Sequence, residues 1–145
     1  MGNDGQITRL HASCVDIGGK GVLIVGASGT GKSSLALQLL GLGALLVSDD
    51  WTEISLEGKE VLARPPATIM GLVEARGVGI LRACALAYSR IVLVIDMDQD
   101  ETDRLPQEHF FDVCGVPLTC LYKTSEPHFP AAIVQFLKAG RRDPS

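Results

Sequence analysis

The segment Gly26-Ala27-Ser28-Gly29-Thr30-Gly31-Lys32-Ser33 constrains this chain more than any other. It satisfies the pattern G-x-x-x-x-G-K-[ST] without a misfit. Its flanks are the ones the pattern needs, an apolar run at Val22–Val25 before it and an apolar stretch at Ser33–Leu42 after it. Glycines let successive backbone N–H groups turn inward on a polyphosphate, and the following helix adds the positive end of its dipole. Lys32 would then neutralise the terminal phosphates, and the Ser33 hydroxyl would ligate Mg²⁺. At this chain's composition, four fixed positions over about 138 windows match by chance roughly 0.6% of the time, before any flanking context is required. A loop of this kind commits the fold to a buried strand, a tight turn and a helix, and so to a nucleotide-binding α/β class.

The 145 residues suffice for one domain with a real core and not for two, and we expect a single domain over 1–139 with a loose tail at 140–145. Lys plus Arg number 13 and Asp plus Glu 17, a net charge of −4, which argues against nucleic acid as a partner. Aromatics at 5% leave little for base-stacking platforms. The longest charge-free stretch, Ser33–Ser48, is too short and too interrupted to cross a membrane. The first six residues carry neither a secretory signal nor a myristoylation pattern. Cys14, Cys84, Cys114 and Cys120 contain no CxxC and read as reduced core thiols of a cytoplasmic protein. Zinc on Cys114, Cys120 and His109 has the wrong spacing for a common site.

Periodicity predicts strands at 8–17 and 20–25, an all-round apolar helix at Ser33–Leu42, and a short strand at Ala44–Val47. It further predicts a hairpin around Glu57-Gly58-Lys59, a central strand at Arg90–Ile95, strands near Phe110–Cys114 and Pro117–Tyr122, and a last helix near Pro130–Ala139. Strands outnumber helices, so the expected fold is a P-loop-containing mixed β-sheet with flanking helices. Two places offer an acidic partner for the phosphate loop: Asp96, at the end of its apolar run, and the pair Asp49-Asp50. Both lie at carboxyl ends of strands, where ligands gather in open α/β sheets. The run Asp96–Asp103 resembles the start of an EF-hand but lacks the glycine and the twelfth-position acid, and we read it as a solvated loop.

Four segments together resemble the catalytic domain of the HPr kinase/phosphorylase family. Leu10-His11-Ala12-Ser13-Cys14 is similar to its L-H-A-[ST]-C strand, and Gly26–Ser33 to its phosphate loop. Val47-Ser48-Asp49-Asp50 stands where the family has V-A-D-D. Leu72-Val73-Glu74-Ala75-Arg76-Gly77-Val78-Gly79-Ile80 is similar to L-I-E-I-R-G-L-G-I. A weaker fifth match is Asp103-Arg104-Leu105. The resemblance implies a nucleotide site of the phosphoenolpyruvate carboxykinase type and an ATP- and Mg²⁺-dependent kinase for a serine of an HPr-type phosphocarrier. It implies Asp50 as the base, with His11, Lys32 and Arg104 around the transferring phosphoryl group. Ser33, Glu74 and Asp49 would serve the metal, and Arg76 with Gly26–Ser33 the nucleotide. Reverse phosphorolysis by orthophosphate, releasing pyrophosphate, would use the same cradle, and a homo-oligomer is left open. The departures are a start almost at the His11 strand, Thr102 in place of a tyrosine, and no recognisable P-G-R-N loop in Pro117–Pro130. A kinase for a small metabolite and a non-catalytic ATP-binding sensor are the alternative readings.

Overall fold

The computed structural model describes residues 6–142. Eleven strands and two α-helices follow one another: β1 (Ile7–Leu10), β2 (Ala12–Ile17), β3 (Lys20–Val25), α1 (Lys32–Gly41), β4 (Leu45–Ser48), β5 (Thr52–Glu57), β6 (Glu60–Arg64), β7 (Leu72–Ala75), β8 (Gly79–Arg82), β9 (Ser89–Asp100), β10 (His109–Val113), β11 (Val116–Lys123) and α2 (Phe129–Ala139). A 3-10 turn at Ala67–Ile69 follows the Pro65-Pro66 break. Nine strands form one curled sheet along the path β1-β5-β6-β9-β3-β2-β4, with β11 and then β10 added beside β9; β7 and β8 pair separately. No helix among the described residues is long and apolar enough to cross a membrane.

The sheet is mixed, as expected, and its centre is parallel. β9 runs parallel to both β3 and β11. Both faces of the centre are covered, which explains why β3 and β9 read as near-continuous apolar runs. Val22, Ile24, Leu93, Ile95 and Met97 pack with α1 and α2, through Leu35, Ala36, Leu39, Phe129, Ile133 and Leu137. Leu23, Val25 and Val94 face the other way, into a second cluster with Ile54, Val61 and Ala63 of the β5–β6 hairpin. Ile91 joins that second cluster because the register shifts between Gly21 and Val22, leaving Val92 as an extra residue in β9. Such a bulge swaps the faces of the residues on either side of it.

Several expectations are corrected. The strand expected over 8–17 breaks at His11 into β1 and β2, which pair with different partners. α1 is not buried all round: Lys32, Leu35, Ala36 and Leu39 face inward, and Leu42 just beyond it is exposed. The acidic run is not a loop from Asp96 onward. β9 continues to Asp100, because β11 supplies a hydrogen-bonding edge as far as Lys123 and the Glu101 N–H still donates to the Lys123 carbonyl. Cys14 and Cys120 are core thiols, but Cys84 and Cys114 are exposed. Of the expected loose tail, Gly140 is bonded through its N–H to the Phe136 carbonyl and the Arg141 guanidinium lies over the Phe136 ring. Residues 143–145, like 1–5, fall outside the described residues.

Candidate active site

Strand direction alone assembles the site. β2 is antiparallel to both β3 and β4, so β3 and β4 point the same way, and β9 is parallel to β3. The carboxyl ends of β3, β4 and β9 therefore meet at one edge, together with the beginning of β2. Those positions hold Gly26, Ser48-Asp49-Asp50, Asp96–Asp98 and His11 respectively. A cleft of about 670 Å³ opens there, lined by Gly29, Lys32, Ser33, Asp49, Asp50, Glu74 and Arg76 among others.

The loop Gly26–Gly31 takes a conformation that only glycine tolerates at its key points. Gly26 has φ 147°, and a Cβ there would lie 2.8 Å from Thr30 Oγ1 and 3.0 Å from Met97 Cβ. Gly31, at φ 98°, precedes α1 with no side-chain cap, and the first turn carries no acidic residue. The first N–H groups of a helix have no intrahelical partner, so this end suits an anion. The buried Lys32 ammonium donates to the Gly26 carbonyl at 2.7 Å and the Ala27 carbonyl at 2.9 Å, which keeps it inside the loop's curve.

Asp49 is buried and is the hub of the cleft. Its Oδ1 accepts from the Ser33 hydroxyl at 2.6 Å and the Ser13 hydroxyl at 3.0 Å, and its Oδ2 from the Glu74 N–H at 3.0 Å. That last bond ties the β7–β8 hairpin, and with it Glu74 and Arg76, to the helix and strand of the loop. Asp50 differs from its neighbour. Its carboxylate is 56% exposed, and Oδ1 lies 2.6 Å from His11 Nε2. Its backbone sits at φ 70°, inside a three-residue turn closed by the Trp51 N–H on the Asp49 carbonyl at 2.8 Å. The His11 ring packs on Trp51 with centroids 4.9 Å apart.

Of the residues singled out from sequence, the structure gathers Lys32, Ser33, Asp49, Asp50, Glu74 and Arg76 around one cleft, with His11 beside it through its bond to Asp50. Arg104 is not gathered: it stands on the exposed segment between β9 and β10 and does not line the cleft. Asp96, the other candidate acid, is buried in β9 and accepts from the Asp98 N–H at 3.0 Å rather than lining the cleft. Sequence reasoning passed over three contributors: Ser13, Trp51 and Asp98. The Asp98 carboxylate accepts the Ala27 N–H at 2.9 Å and so anchors the glycine loop from β9. The alternation Asp96-Met97-Asp98 along a strand was the available signal for it.

Among the described residues, Cys114, Cys120 and His109 are not brought together as a metal-ligating group. Burial, with Asp96 nearby, pushes the Cys120 thiol up to about 11. Burial and then Asp16 push Cys14 up as well, so neither is a ready thiolate. His109 is bonded to Glu101 at 2.8 Å and stacked on Tyr122.

Comparison with known proteins shows the family and the fold. Residues 5–119 match the family described as the HPr Serine kinase C-terminal domain. The HPr kinase/phosphorylase of Clostridium botulinum (strain Eklund 17B / Type B) is 32% identical over 139 residues, covering 88% of this chain and 46% of the relative. That of Geobacillus thermodenitrificans (strain NG80-2) is 41% identical over 113 residues, 70% of this chain and 37% of the relative. This chain thus spans about half the length of the curated relatives it matches. The solved structure of the Hpr(Ser) kinase/phosphatase from Coxiella burnetii shares the fold, with a TM-score of 0.77 at 22% identity, covering 90% of this chain and 94% of that one. The chain belongs to the HPr serine kinase C-terminal domain family.

Proposed function

We propose that the cleft transfers the γ-phosphoryl group of ATP to a serine of an HPr-type phosphocarrier. The observation that supports this best is the division of labour between adjacent carboxylates beside one glycine loop. Asp49 is buried and bonded to Ser33, while Asp50 faces outward, half exposed, against His11. A sensor that only bound nucleotide would have no use for the second.

In this reading Asp50 takes the proton from the attacking serine hydroxyl. The serine oxygen forms its bond to the γ-phosphorus as the bond to the β,γ-bridging oxygen breaks, and ADP leaves with that electron pair. Phosphoryl transfer is mostly positioning and charge stabilisation, so cations matter as much as the base. Lys32 and the N–H groups at the start of α1 hold the phosphates. His11 orients Asp50 and adds its own polarity at the acceptor side. Arg76 reaches the nucleotide from the β7–β8 hairpin, and Arg104 rests on the family resemblance alone. Orthophosphate in the γ position would run the reverse reaction, releasing pyrophosphate and returning the Asp50 proton to the serine.

Magnesium fits the donor set. Ser33, Asp49 and Glu74 offer only oxygen, and among the described residues no group of three or more His, Cys, Asp or Glu is arranged to hold a metal by itself. Mg²⁺ usually takes one or two carboxylates plus substrate phosphates rather than an all-protein cage. When bound it would neutralise charge on the phosphate oxygens.

The test is incubation of the chain with γ-labelled ATP, Mg²⁺ and purified HPr-type proteins, followed by mapping of the label. Label on an HPr serine supports the reading. Label released only as free phosphate, or carried by a small metabolite, overturns it.

A further inference from the structure

We infer that Ser13 is a positioning residue for the Asp50 base, the joint that holds two adjacent aspartates in different orientations. The inference rests on the kinase reading above and adds to it a residue that neither binds substrate nor exchanges a proton with it.

Adjacent residues in an extended strand point to opposite faces, and the chain could satisfy Asp49 and Asp50 simply by continuing β4. It does not. Asp50 turns to φ 70°, a region that non-glycine residues adopt only when their surroundings hold them there. Two of the holding bonds are local: the Trp51 N–H donates to the Asp49 carbonyl, and the Ser48 hydroxyl to the Trp51 carbonyl. The third comes from another strand. Ser13, fully buried on β2, accepts the Asp50 N–H at 3.0 Å and donates its own proton to Asp49 Oδ1 at 3.0 Å.

A hydroxyl has one proton to give and lone pairs to accept with, so both bonds are made at once and in only one direction. No carbonyl could replace it, having no proton for the carboxylate, and no ammonium could, having no lone pair for the N–H. Two residues earlier on the same edge, His11 reaches the Asp50 carboxylate at 2.6 Å. Residues 11–13, at the junction of β1 and β2, therefore grip Asp50 twice, by its backbone through Ser13 and by its side chain through His11. Loss of the Ser13 hydroxyl frees the backbone half of that grip. The Asp50 carboxylate is then misplaced while Lys32 and the glycine loop stay where they are.

The test uses the whole chain with Ser13→Ala and Ser13→Thr, measuring kcat and KM for transfer to HPr, ATP affinity by calorimetry, the thermal midpoint, and acrylamide quenching of Trp51. Trp51 is the chain's single tryptophan and follows Asp50 directly. For Ser13→Ala we expect kcat to fall by roughly tenfold to a hundredfold, as a small misplacement of a reacting group does. KM for ATP should stay within about threefold, Trp51 should become more quenchable, and Ser13→Thr, which keeps the hydroxyl, should recover most of kcat. A Ser13→Ala protein that folds and keeps wild-type kcat overturns the inference. So does a parallel loss of kcat and thermal midpoint that Thr does not repair. Should Ser13→Ala not fold, Ser13→Cys keeps the volume with a weaker donor and acceptor and is read the same way. If the wild-type chain transfers nothing to HPr, the kinase reading fails, and Trp51 quenching decides the Ser13 claim alone: unchanged quenching overturns it.

Discussion

His11 is bonded to Asp50 yet packs on Trp51, and these two contacts invite opposite descriptions of it, catalytic and structural. Magnitudes separate them. The pair is partly exposed, with His11 at 32% and Asp50 at 56%, so its bond contributes at most about 1 kcal/mol to stability. Orientation of a reacting group is worth far more to rate, on the order of a hundredfold for a displacement of about an ångström. His11→Ala should therefore slow transfer by about a hundredfold while shifting stability by less than about 1 kcal/mol, as read by paired kinetics and urea unfolding. Equal losses, converted to free energy, would assign His11 to the fold. At this scale much of the site was legible in sequence, because Lys32-Ser33, Asp49-Asp50 and Glu74-Ala75-Arg76 each lie within a single motif. Ser13 and Asp98 were not. Their partners include backbone N–H groups, of Asp50 and Ala27; the alternation Asp96-Met97-Asp98 marks a strand face, but no side-chain pattern says which distant N–H it meets.

The glycine loop is held as an element from both sides. Met97 and Asp98 of β9 press on it, and Thr30 closes it from within through a bond to the Ala27 carbonyl at 2.7 Å. Gly26→Ala should cost about 1–3 kcal/mol, since its methyl meets a backbone-fixed neighbour in a conformation disfavoured for L residues. It should weaken ATP binding in parallel, both measurable on one preparation by thermal unfolding and calorimetry. Glu101, just past β9, makes a pH-sensitive contact with His109 at the β10–β11 edge. Burial pushes the Glu101 carboxyl up, but the His109 hydrogen bond, the Asp103 and Thr102 N–H groups and the attraction of His109 outweigh it and hold the carboxyl below its ordinary 4.5. A carboxyl lowered by folding stabilises the native state above its unfolded value and loses that contribution as pH falls through the lower, folded one. The stability gap between wild type and Glu101→Gln should thus be fully present above the carboxyl's ordinary 4.5 and shrink progressively as pH falls below it. A gap independent of pH would remove Glu101 from the account. The elements themselves were mostly legible, since β3, α1, β5–β6 and α2 follow plain apolar periodicity. β9 was not, because the acids after Ile95 look solvated until β11 is known to lie beside them, and the bulge at Val92 breaks the alternation.

Across the whole molecule, β9 belongs to both cores, as do its neighbours β3 and β2. Leu93, Ile95 and Met97 belong to the helix-side cluster, and Ile91 and Val94 to the hairpin-side cluster. Neither cluster can lose its packing while β9 stays in place for the other, so the chain should unfold in one transition. Trp51 emission, beside the cleft, and far-ultraviolet dichroism, dominated by α1 and α2, should report the same urea midpoint. Separate midpoints would mean that the helix layer and the β5–β6 hairpin are independent. The same strand joins the phosphate loop, through Asp98, to the sheet that carries His11 and Asp50. The relative placement of cradle and base is thereby a property of the whole fold. The class of fold could be read from the strand–loop–helix segment, whereas the curl that brings β5–β6 over the second face depends on pairings between residues far apart in sequence.

The central claim is that Asp50 moves the proton at a site whose nucleotide is held by other residues. Asp50→Asn, measured for ATP affinity and for phosphoryl transfer to HPr on the same preparation, tests it most directly. The account predicts affinity within about threefold of wild type and transfer reduced by about a hundredfold to ten-thousandfold, the usual contribution of a general base. Near-normal turnover by Asp50→Asn would contradict it.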